Sequence, residues 1–230
     1  MKYPTLILGT FIQRYKRFMV DIKLIDGTVV TAHCVNTGSM KGCLEEHAPV
    51  GISVADNPQR KLKYTLEIIK IRGIWVGVNT SLTNHLAEEF IKEKGIPEIG
   101  TYINLKREVR YGVNSRIDIL LETNSKDCFI EVKNVSMVFD GKASFPDAVS
   151  ERGTKHLIEL MAVVKKGQRG IMLYICQRED ALSFEPAKQI DAVYAQTLAK
   201  AFASGVEILV YKSKVSIKNN KVYCKIPWHL

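Results

Sequence analysis

The sequence predicts an α/β protein with two parts, a small β-barrel over residues 1–80 and a mixed-sheet domain over residues 81–230. Two observations predict this fold class. Short runs of strand-forming residues separated by turn residues occupy the first 80 positions, which is typical of a small barrel. After residue 80, helical and strand periodicities follow one another in the order α-β-β-β-α-β-α-β, which indicates helices packed on a mixed sheet.

The barrel is predicted from about five short strands. Asp26-Gly27 separates two strand-like runs, at 18–25 and 28–32, and Asp-Gly in that position is a strong hairpin signal. Further strands are expected at 50–55, 66–71 and 74–78, with loops at 36–39 and 56–58. Five strands of this length are enough to close a small barrel.

The second part begins with a helix, because capping residues at 80–84 accompany apolar residues at helical spacing up to Ile91, before Gly95 and Pro97. Strands are expected at 104–110, 115–121, 128–135, 170–176 and 206–211. A second helix is predicted at 150–165. Pro186 should open a third helix that Gly205 closes, and a terminal hairpin should turn at 219–220. The predicted core stripe of the third helix consists of Ile190, Val193, Tyr194, Thr197, Ala201 and Phe202.

Composition and charge exclude several classes of protein. The chain has 230 residues, of which 46% are hydrophobic, so it can bury a core and is not disordered. No apolar run approaches the roughly 20 residues of a membrane span, and no signal peptide begins the chain, so a cytoplasmic protein is expected. Five cysteines without a C-x-x-C pair indicate neither a disulfide framework nor a zinc site. The net charge of +9 favours an anionic partner such as nucleic acid.

The residues that best predict chemistry are Asp118, Glu131 and Lys133. Side chains alternate along a strand, so Glu131 and Lys133 should share one face, and a hairpin would set Asp118 on the adjacent strand. Two carboxylates and a backbone carbonyl form a hard oxygen site suited to Mg²⁺ or Mn²⁺. The lysine would stabilise charge that develops on a phosphate. The alternative is a cross-strand ion pair on a solvated sheet face.

Further motifs are candidates for nucleic-acid binding. In the barrel, Arg14, Tyr15 and Arg17 interleave cations with an aromatic ring, as in proteins that stack bases and contact phosphates. The glycine-rich segment from Asn36 through Lys41 to Gly42 has amides that could hold a phosphate. It lacks the spacing of a P-loop, which excludes a nucleotide cofactor. The alternative is that these rings fill the barrel core and the cations are solvated.

Six segments of the chain resemble, in order, motifs of the sugar fermentation stimulation protein A family: 14–18, 36–40, 115–118, 131–134, 145–148 and 152–157. The resemblance spans nearly the whole chain. It implies an OB-like barrel followed by a PD-(D/E)xK nuclease-like domain, and a family associated with DNA binding and the regulation of sugar (maltose) metabolism. It also implies that Asp118, Glu131 and Lys133 match the catalytic positions of that fold. Ile117 replaces the proline for which the fold is named.

Other residues complete the predicted site. Glu108 on the preceding strand could be an additional metal-site acid, as in some branches of that superfamily, or a solvent-facing acid. Four further residues are expected to contact nucleic acid: Arg116, Arg152, Lys155 and His156. The last three share one face of the second helix. The alternative for that helix face is simple solvation.

The leading hypothesis is a DNA-binding protein with a Mg²⁺- or Mn²⁺-dependent nuclease site. The alternative is a regulator that binds DNA, largely without sequence preference, and does not cleave it. No membrane partner is expected. A homodimer is one expected assembly, since nuclease domains that cut two strands often pair.

Overall fold

The N-terminal part is a five-stranded barrel in the computed structural model, which describes residues 1–57, 59–93, 95–112 and 115–230. Its strands and the one that follows are β1 Ile7–Tyr15, β2 Met19–Leu24, β3 Val29–His33, β4 Pro49–Val54, β5 Tyr64–Ile71 and β6 Ile74–Gly77. They pair in the order β3-β2-β1-β4-β5-β6, and a parallel pairing of β3 with β5 closes the first five into a barrel. This order confirms the predicted OB-like barrel.

The strand β1 was not expected from the sequence. Only Phe11 is fully buried along it, so its hydrophobic alternation is weak. Its pairing with β2 also shifts register between Phe11 and Gln13, which breaks the two-residue period. In β2, by contrast, Val20 and Ile22 both point into the core, and the sequence pattern identified that strand correctly.

The second part is a six-stranded mixed sheet with helices on both faces, which confirms the predicted nuclease-like fold class. The elements of this part are α1 Thr83–Lys92, β7 Asn104–Tyr111, β8 Ser115–Glu122, β9 Cys128–Val135, β10 Met137–Phe139, β11 Lys142–Phe145, α2 Glu151–Lys165, β12 Arg169–Cys176, β13 Ser183–Pro186, α3 Ala192–Ala203, β14 Glu207–Val215 and β15 Asn220–Lys225. The order of the six-stranded sheet is β15-β14-β12-β9-β8-β7, with β9, β12 and β14 parallel to one another.

Each face of this sheet has its own hydrophobic core. On one face α1 packs Leu86 and Phe90 against residues such as Ile130. On the other face α2 and α3 bury Leu157 and Leu198. The sheet therefore presents β8 and β9 between α1 and α2, where the candidate site lies. None of the helices in the described ranges combines the length and apolarity that crossing a membrane requires.

The prediction for the third helix was wrong at its start and in its face. Pro186 ends strand β13, which pairs with β11, and the helix begins at Ala192 after Asp191, whose side chain accepts from the amide of Tyr194. Val193 and Phe202 are consequently exposed. The buried positions are Tyr194, Ala195, Leu198 and Ala201. A proline fits the end of a strand as well as the start of a helix, so it did not decide between them.

The barrel and the second domain are joined by hydrogen bonds between distant parts of the chain. The amide of Tyr3 donates to the carbonyl of Lys218 at 2.9 Å, and that of Gly77 donates to the carbonyl of Gln177 at 2.9 Å. The side chain of Gln177 in turn donates to Thr83 and Asn134. Both ends of the barrel segment are therefore held against the second domain.

Candidate active site

The candidate active site lies at a fork in the sheet, the point where strands β8 and β9 separate. Their pairing ends at Ile119 and Ile130, one residue before Asp118 and Glu131 would face each other. The backbone amide of Val132, free of a strand partner there, donates instead to Asp118 Oδ2 at 2.8 Å. Asn84 on α1 donates to Asp118 Oδ1 at 2.8 Å. The Asp118 carboxylate is therefore fixed between a strand and a helix.

Glu131, Lys133 and His156 form a buried cluster beside this fork. Glu131 and Lys133 share one face of β9, as predicted, with side chains only 2% and 13% exposed. Lys133 Nζ lies 2.6 Å from Glu131 Oε1, and His156 Nδ1 contacts the same oxygen. Arg152 Nε donates to His156 Nε2, so the proton of a neutral imidazole belongs on Nδ1, facing Glu131. The imidazole thus orients the carboxylate.

The pKa values of the two carboxyl groups move in opposite directions. Burial and the neighbouring charge of Glu131 raise the pKa of Asp118 to about 6. Burial acts in the same direction on Glu131, but the hydrogen bond from His156 and the charge of Lys133 outweigh it and lower its pKa. Glu131 is therefore firmly ionised at neutral pH. A cation between the carboxylates would relieve their repulsion.

Two further polar groups lie at the outer edge of this cluster. Glu159, one turn beyond His156 on α2, accepts a hydrogen bond from Ser115 Oγ at 2.7 Å. Burial and the charges of Glu131, Glu159 and Asp118 raise the pKa of Tyr111. Among the described residues, Glu131 Oε2, Glu159 Oε2 and the Tyr111 hydroxyl are buried without a hydrogen bond of ordinary geometry, although Tyr111 and Glu159 lie close enough for a hydrogen bond between them to raise the pKa of Tyr111 further.

A cleft between the barrel and the second domain leads to the site. Its volume is about 390 Å³. Arg17 and residues 36–38 of the barrel line one wall, and Asn84 and Val132, which both hold Asp118, belong to the other. Segment 144–150 completes the lining. The barrel and the candidate active site therefore face a common space.

Comparison with known proteins identifies the family. The model described as "Sugar fermentation stimulation protein RE domain" matches residues 81–219, and the "SfsA N-terminal OB domain" model matches residues 12–78. The chain belongs to the sugar fermentation stimulation protein family. The resemblance seen in the sequence motifs is thereby confirmed.

Relatives within this family cover nearly the whole chain. The sugar fermentation stimulation protein homolog of Geobacter sulfurreducens is 48% identical over 219 residues, which is 95% of this chain and 94% of the relative. The homolog of Maricaulis maris is 50% identical over 219 residues, or 94% and 93% of the two chains. A solved structure of Pyrococcus furiosus SfsA in complex with Ca²⁺ has a TM-score of 0.89 and 25% identity, covering 100% of this chain and 98% of that one.

The residues predicted to bind nucleic acid from the barrel differ in their surroundings. Arg14 donates to the carbonyls of Asn36 and Gly38, so it holds the 36–39 loop in place. Tyr15 donates to Asp21, and the Asn36 side chain accepts from the amide of Gly38. Arg17 and Lys41 are exposed, and Arg17 lines the cleft. Of the cations in this group, Arg17 is therefore the one that lines the approach to the active site.

The remaining predicted residues are also divided between the site and the surface. His156 is buried against Glu131 and Lys133, whereas Arg152 and Lys155 are exposed on the same helix. Arg116 is exposed two residues before Asp118. Glu108 is exposed on the edge strand β7 with a positive φ of 53°, outside the Asp118–Glu131 cluster.

Sequence reasoning did not assign a role in the site to two residues that contact it. Asn84 was identified only as a helix-capping residue, and Tyr111 was not singled out at all. Asn84 reaches Asp118 across 34 positions of sequence. Only the packing of α1 against the fork reveals that contact, so no local pattern could have shown it.

The donor set fits a hard divalent cation. Glu131 Oε2 is buried and has no hydrogen-bond partner in the part of the chain that the structure describes, and the neighbouring Asp118 carboxylate has a raised pKa. Within the described ranges, no three His, Cys, Asp or Glu side chains are arranged as a ready-made metal cage. Mg²⁺ does not require one, because one or two carboxylates, water and a substrate phosphate usually complete its shell.

Proposed function

We propose that this protein binds DNA and hydrolyses its phosphodiester bonds with Mg²⁺ or Mn²⁺. The observation that carries the proposal is the pair of carboxylates, half-buried Asp118 and buried Glu131, with Lys133 beside Glu131. Asn84 and Val132, which both donate to Asp118, line an interdomain cleft. A protein that only binds DNA has no use for buried carboxylates, which repel phosphate unless a cation intervenes. The Ca²⁺ in the related Pyrococcus furiosus structure supports a divalent cation in this family.

Each residue of the site has a role in this proposal. Asp118 and Glu131 would hold the cation, with the backbone carbonyl of Val132 as a further oxygen donor. The bound cation would supply charge neutralisation on the phosphate and would lower the pKa of an attacking water. Lys133 places an ammonium group beside Glu131, where it would stabilise charge that develops on the phosphate. His156 fixes the orientation of Glu131 and Lys133.

The barrel would supply binding rather than chemistry. The chain carries a net charge of +9, and phosphate contacts from such a surface give affinity without sequence preference. Arg17 and the 36–38 loop share the cleft with the site, so a strand bound on the barrel would run past Asp118. Phe18, which is 45% exposed, adds a ring on which a base could stack.

The test compares cleavage and binding in the same variants. We expect Glu131→Gln and Lys133→Ala each to reduce Mn²⁺-dependent DNA cleavage by roughly 100-fold or more, since each removes a group that acts on the phosphate or cation. Binding of an uncleavable phosphorothioate DNA, measured by fluorescence anisotropy, should remain within a few-fold of wild type. Single-stranded, double-stranded and branched DNA should all be assayed.

The exposed pair Lys142 and Glu185 provides the matched control. These side chains lie 3.8 Å apart on the small sheet formed by β10, β11 and β13, away from the fork. Lys142→Ala and Glu185→Gln should cleave like wild type. Wild-type cleavage by the Glu131 and Lys133 variants would show that the site is wrongly assigned. Tight DNA binding by wild type without cleavage of any substrate would instead favour the regulator that binds without cutting.

A further inference from the structure

We propose that the cleft between the barrel and the second domain is a recognition pocket for one unpaired pyrimidine base of the bound strand. This inference rests on the proposed function, to which it adds a preference among bases that phosphate contacts do not supply. A protein reads the Watson–Crick edge of a base only where that edge has no partner strand. The DNA would therefore be single-stranded at this position.

The charges of the cleft lining do not suit a phosphate group. Arg17 is the one cation among the described residues that line the cleft, and Asp147 adds a carboxylate that accepts from the amide of Met40. The cations that suit phosphate line a different cavity: Arg110 and Arg116 lie opposite each other on β7 and β8 and line a space of about 530 Å³. Most of the polar lining of the cleft is neutral, in the form of asparagine, serine and threonine side chains.

Two asparagine side chains of this lining present a hydrogen-bond donor in a fixed orientation. The Oδ1 atom of Asn36 accepts from the amide of Gly38 at 2.9 Å, and the Oδ1 atom of Asn134 accepts from Gln177 Nε2 at 2.6 Å. Because the oxygen of each amide is already bonded, neither side chain can flip without losing that bond. The Nδ2 atoms of both side chains are left as donors for a ligand.

A third asparagine in the lining presents the opposite polarity. Asn84 Nδ2 donates to Asp118 Oδ1 at 2.8 Å, which leaves Asn84 Oδ1 as an acceptor. Within the described ranges, the free amide atoms of Asn36, Asn84 and Asn134 make no hydrogen bond, and none of them is buried. The cleft therefore offers a ligand two oriented donors and one oriented acceptor.

Hydrogen bonds bring two of these asparagines together. Gln177 Nε2 donates to Asn134 and also to Thr83 Oγ1, which lies 3.1 Å away. Thr83 directly precedes Asn84 on α1. One buried glutamine therefore ties the donor on β9 to the acceptor on α1.

The third asparagine, Asn36, reaches the same cavity from the barrel. Arg14 donates to the carbonyl of Asn36 at 2.8 Å and holds its loop in place. The cavity that all three asparagines line has a volume of about 390 Å³. This volume is within the roughly 300–1,000 Å³ of sites that hold small molecules. Val132 and Met137 add apolar lining that suits the face of a base.

The pattern of two donors and one acceptor favours a pyrimidine. The Watson–Crick edge of thymine carries the acceptors O2 and O4 with the donor N3–H, and that of cytosine carries the acceptors O2 and N3 with a donor on N4. Guanine has the reverse pattern, with one acceptor and two donors, and adenine has only one of each. A purine would therefore leave polar groups of the cleft unpaired, which is unfavourable.

The experiment measures base preference in binding, which does not depend on cleavage. Each probe is a single-stranded phosphorothioate oligonucleotide of abasic residues that carries one base at its centre, and fluorescence anisotropy gives its affinity for the full chain. Because the phosphates are the same in every probe, a difference in affinity reports the base alone. We expect the thymine and cytosine probes to bind about 10-fold more tightly than the guanine, adenine and fully abasic probes.

Two substitutions should reverse this preference. Asn134→Asp and Asn36→Asp each convert a donor into an acceptor and keep the bond that Oδ1 accepts from Gln177 or Gly38. The cleft then presents one donor and two acceptors, which is the complement of guanine. We expect each variant to bind the guanine probe more tightly than the thymine probe, although the added charge weakens its affinity for every probe.

Asn57→Asp is the matched control for the added charge. Asn57 is exposed outside the cleft lining, and its Oδ1 accepts from the amide of Gln59 at 2.9 Å, as Asn36 accepts from Gly38. This variant should keep the wild-type preference for pyrimidines. Circular dichroism and thermal melting verify that each variant is folded.

The possible outcomes separate this inference from the proposed function. Equal affinity of wild type for all probes, or binding of duplex DNA but of no probe, would overturn the pocket and leave the proposed function intact. Retention of the pyrimidine preference by both cleft variants would also overturn it. Free thymidine and deoxycytidine, titrated by calorimetry, should bind far more weakly than the probes, and equal affinity would mean that the cleft serves a nucleoside instead of a strand. Failure to bind any DNA would contradict the proposed function itself.

Discussion

At the scale of single residues, the surroundings of Asp118 determine the pKa of its carboxyl group. Its carboxylate accepts from one backbone amide and one side-chain amide, both of which favour the ionised form. Burial and the charge of Glu131 outweigh these bonds, so its pKa rises to about 6. In the metal-free protein, ionised Asp118 is therefore a source of instability. A cation would convert it into a source of stability.

This gives a pH-dependent prediction for the metal-free protein. The folded state binds the Asp118 proton more tightly than the unfolded chain does, so the contribution of Asp118 to wild-type stability falls as pH rises from about 4 through about 6. Asp118→Asn cannot ionise. We expect the free energy of unfolding of the variant, relative to that of wild type, to increase by up to about 3 kcal/mol between pH 4 and pH 7.

Urea denaturation in the presence of a chelator measures this difference at each pH. Subtracting the two curves cancels the titrating groups that do not interact with Asp118, and Glu131 stays ionised over most of this range because its pKa is lowered. Addition of Mn²⁺ at pH 7 should stabilise wild type and leave Asp118→Asn unchanged. A gap between the curves that does not vary with pH would contradict the raised pKa of Asp118.

The residue scale also shows what could be predicted from the sequence. The strand period places Glu131 and Lys133 on one face, and that expectation agrees with their 2.6 Å contact. The partners that tune them come from elsewhere: Asn84 lies on α1, and Tyr111 lies on β7. Their identities follow from packing between elements, which a pattern within one strand does not contain.

At the scale of elements, the site depends on a local failure of strand pairing. Strands β8 and β9 pair only from Ile119 to Leu121, and beyond them the amide of Val132 turns to Asp118. α1 fills the gap from the other side through Asn84. The fork therefore needs a helix against it to hold the carboxylate in one orientation.

Removal of the Asn84 contact tests this role of α1. Asn84→Ala eliminates a donor that lowers the pKa of Asp118, so the carboxyl group should become more basic and less well oriented. We expect Mn²⁺ affinity at pH 7, measured by calorimetry, to fall about 10-fold with little loss of stability. Asn104→Ala is the matched control, since Asn104 donates to Glu122 at the exposed sheet edge at 3.1 Å. Equal effects of the two substitutions would argue against a positioning role for Asn84.

Elements also differed in how well the sequence predicted them. Buried central strands such as β9 and β12 have long apolar runs and were placed correctly. β1 was missed because a register shift interrupts its alternation, and β13 was missed because its pairing partner, β11, is remote in sequence. The start of α3 was wrong for the same reason. Local signals fail where a distant strand decides the structure.

At the scale of the whole molecule, several contacts position the barrel relative to the site, and one of them joins two loops at the cleft. Ser39 Oγ donates to the carbonyl of Asp147 at 2.5 Å, and the amide of Met40 donates to Asp147 Oδ2 at 2.8 Å. Both loops line the cleft that leads to Asp118. Arg178 adds a second link, since it donates to the carbonyls of Gly42 and Ser136. The cleft is therefore held open by specific contacts.

A single methyl group should disturb this arrangement. A Cβ on Gly38 would lie 2.8 Å from the carboxylate carbon of Asp147, and that carboxylate cannot move away without breaking its bond to Met40. We expect Gly38→Ala to lower the free energy of unfolding by about 1–3 kcal/mol. DNA binding should weaken as well, because the loop at the cleft wall shifts, while Mn²⁺ binding at the intact fork should not.

A double-mutant cycle decides whether the clash with Asp147 is the cause. Asp147→Ala removes the carboxylate that the new methyl group would meet. In the Asp147→Ala variant, Gly38→Ala should therefore lower the free energy of unfolding much less, which corresponds to a coupling energy of about 0.5–3 kcal/mol between the two sites. Gly73→Ala is a suitable control because a Cβ at that position meets nothing within 4 Å. The φ of +83° at Gly73 makes this substitution destabilising by itself, and Asp147→Ala should leave that loss of stability unchanged. If the cost of Gly38→Ala is the same with and without Asp147, the loop contact does not set the cleft. Recovery of DNA binding in the double variant would show that cleft shape, rather than the Asp147 charge, governs access to the site.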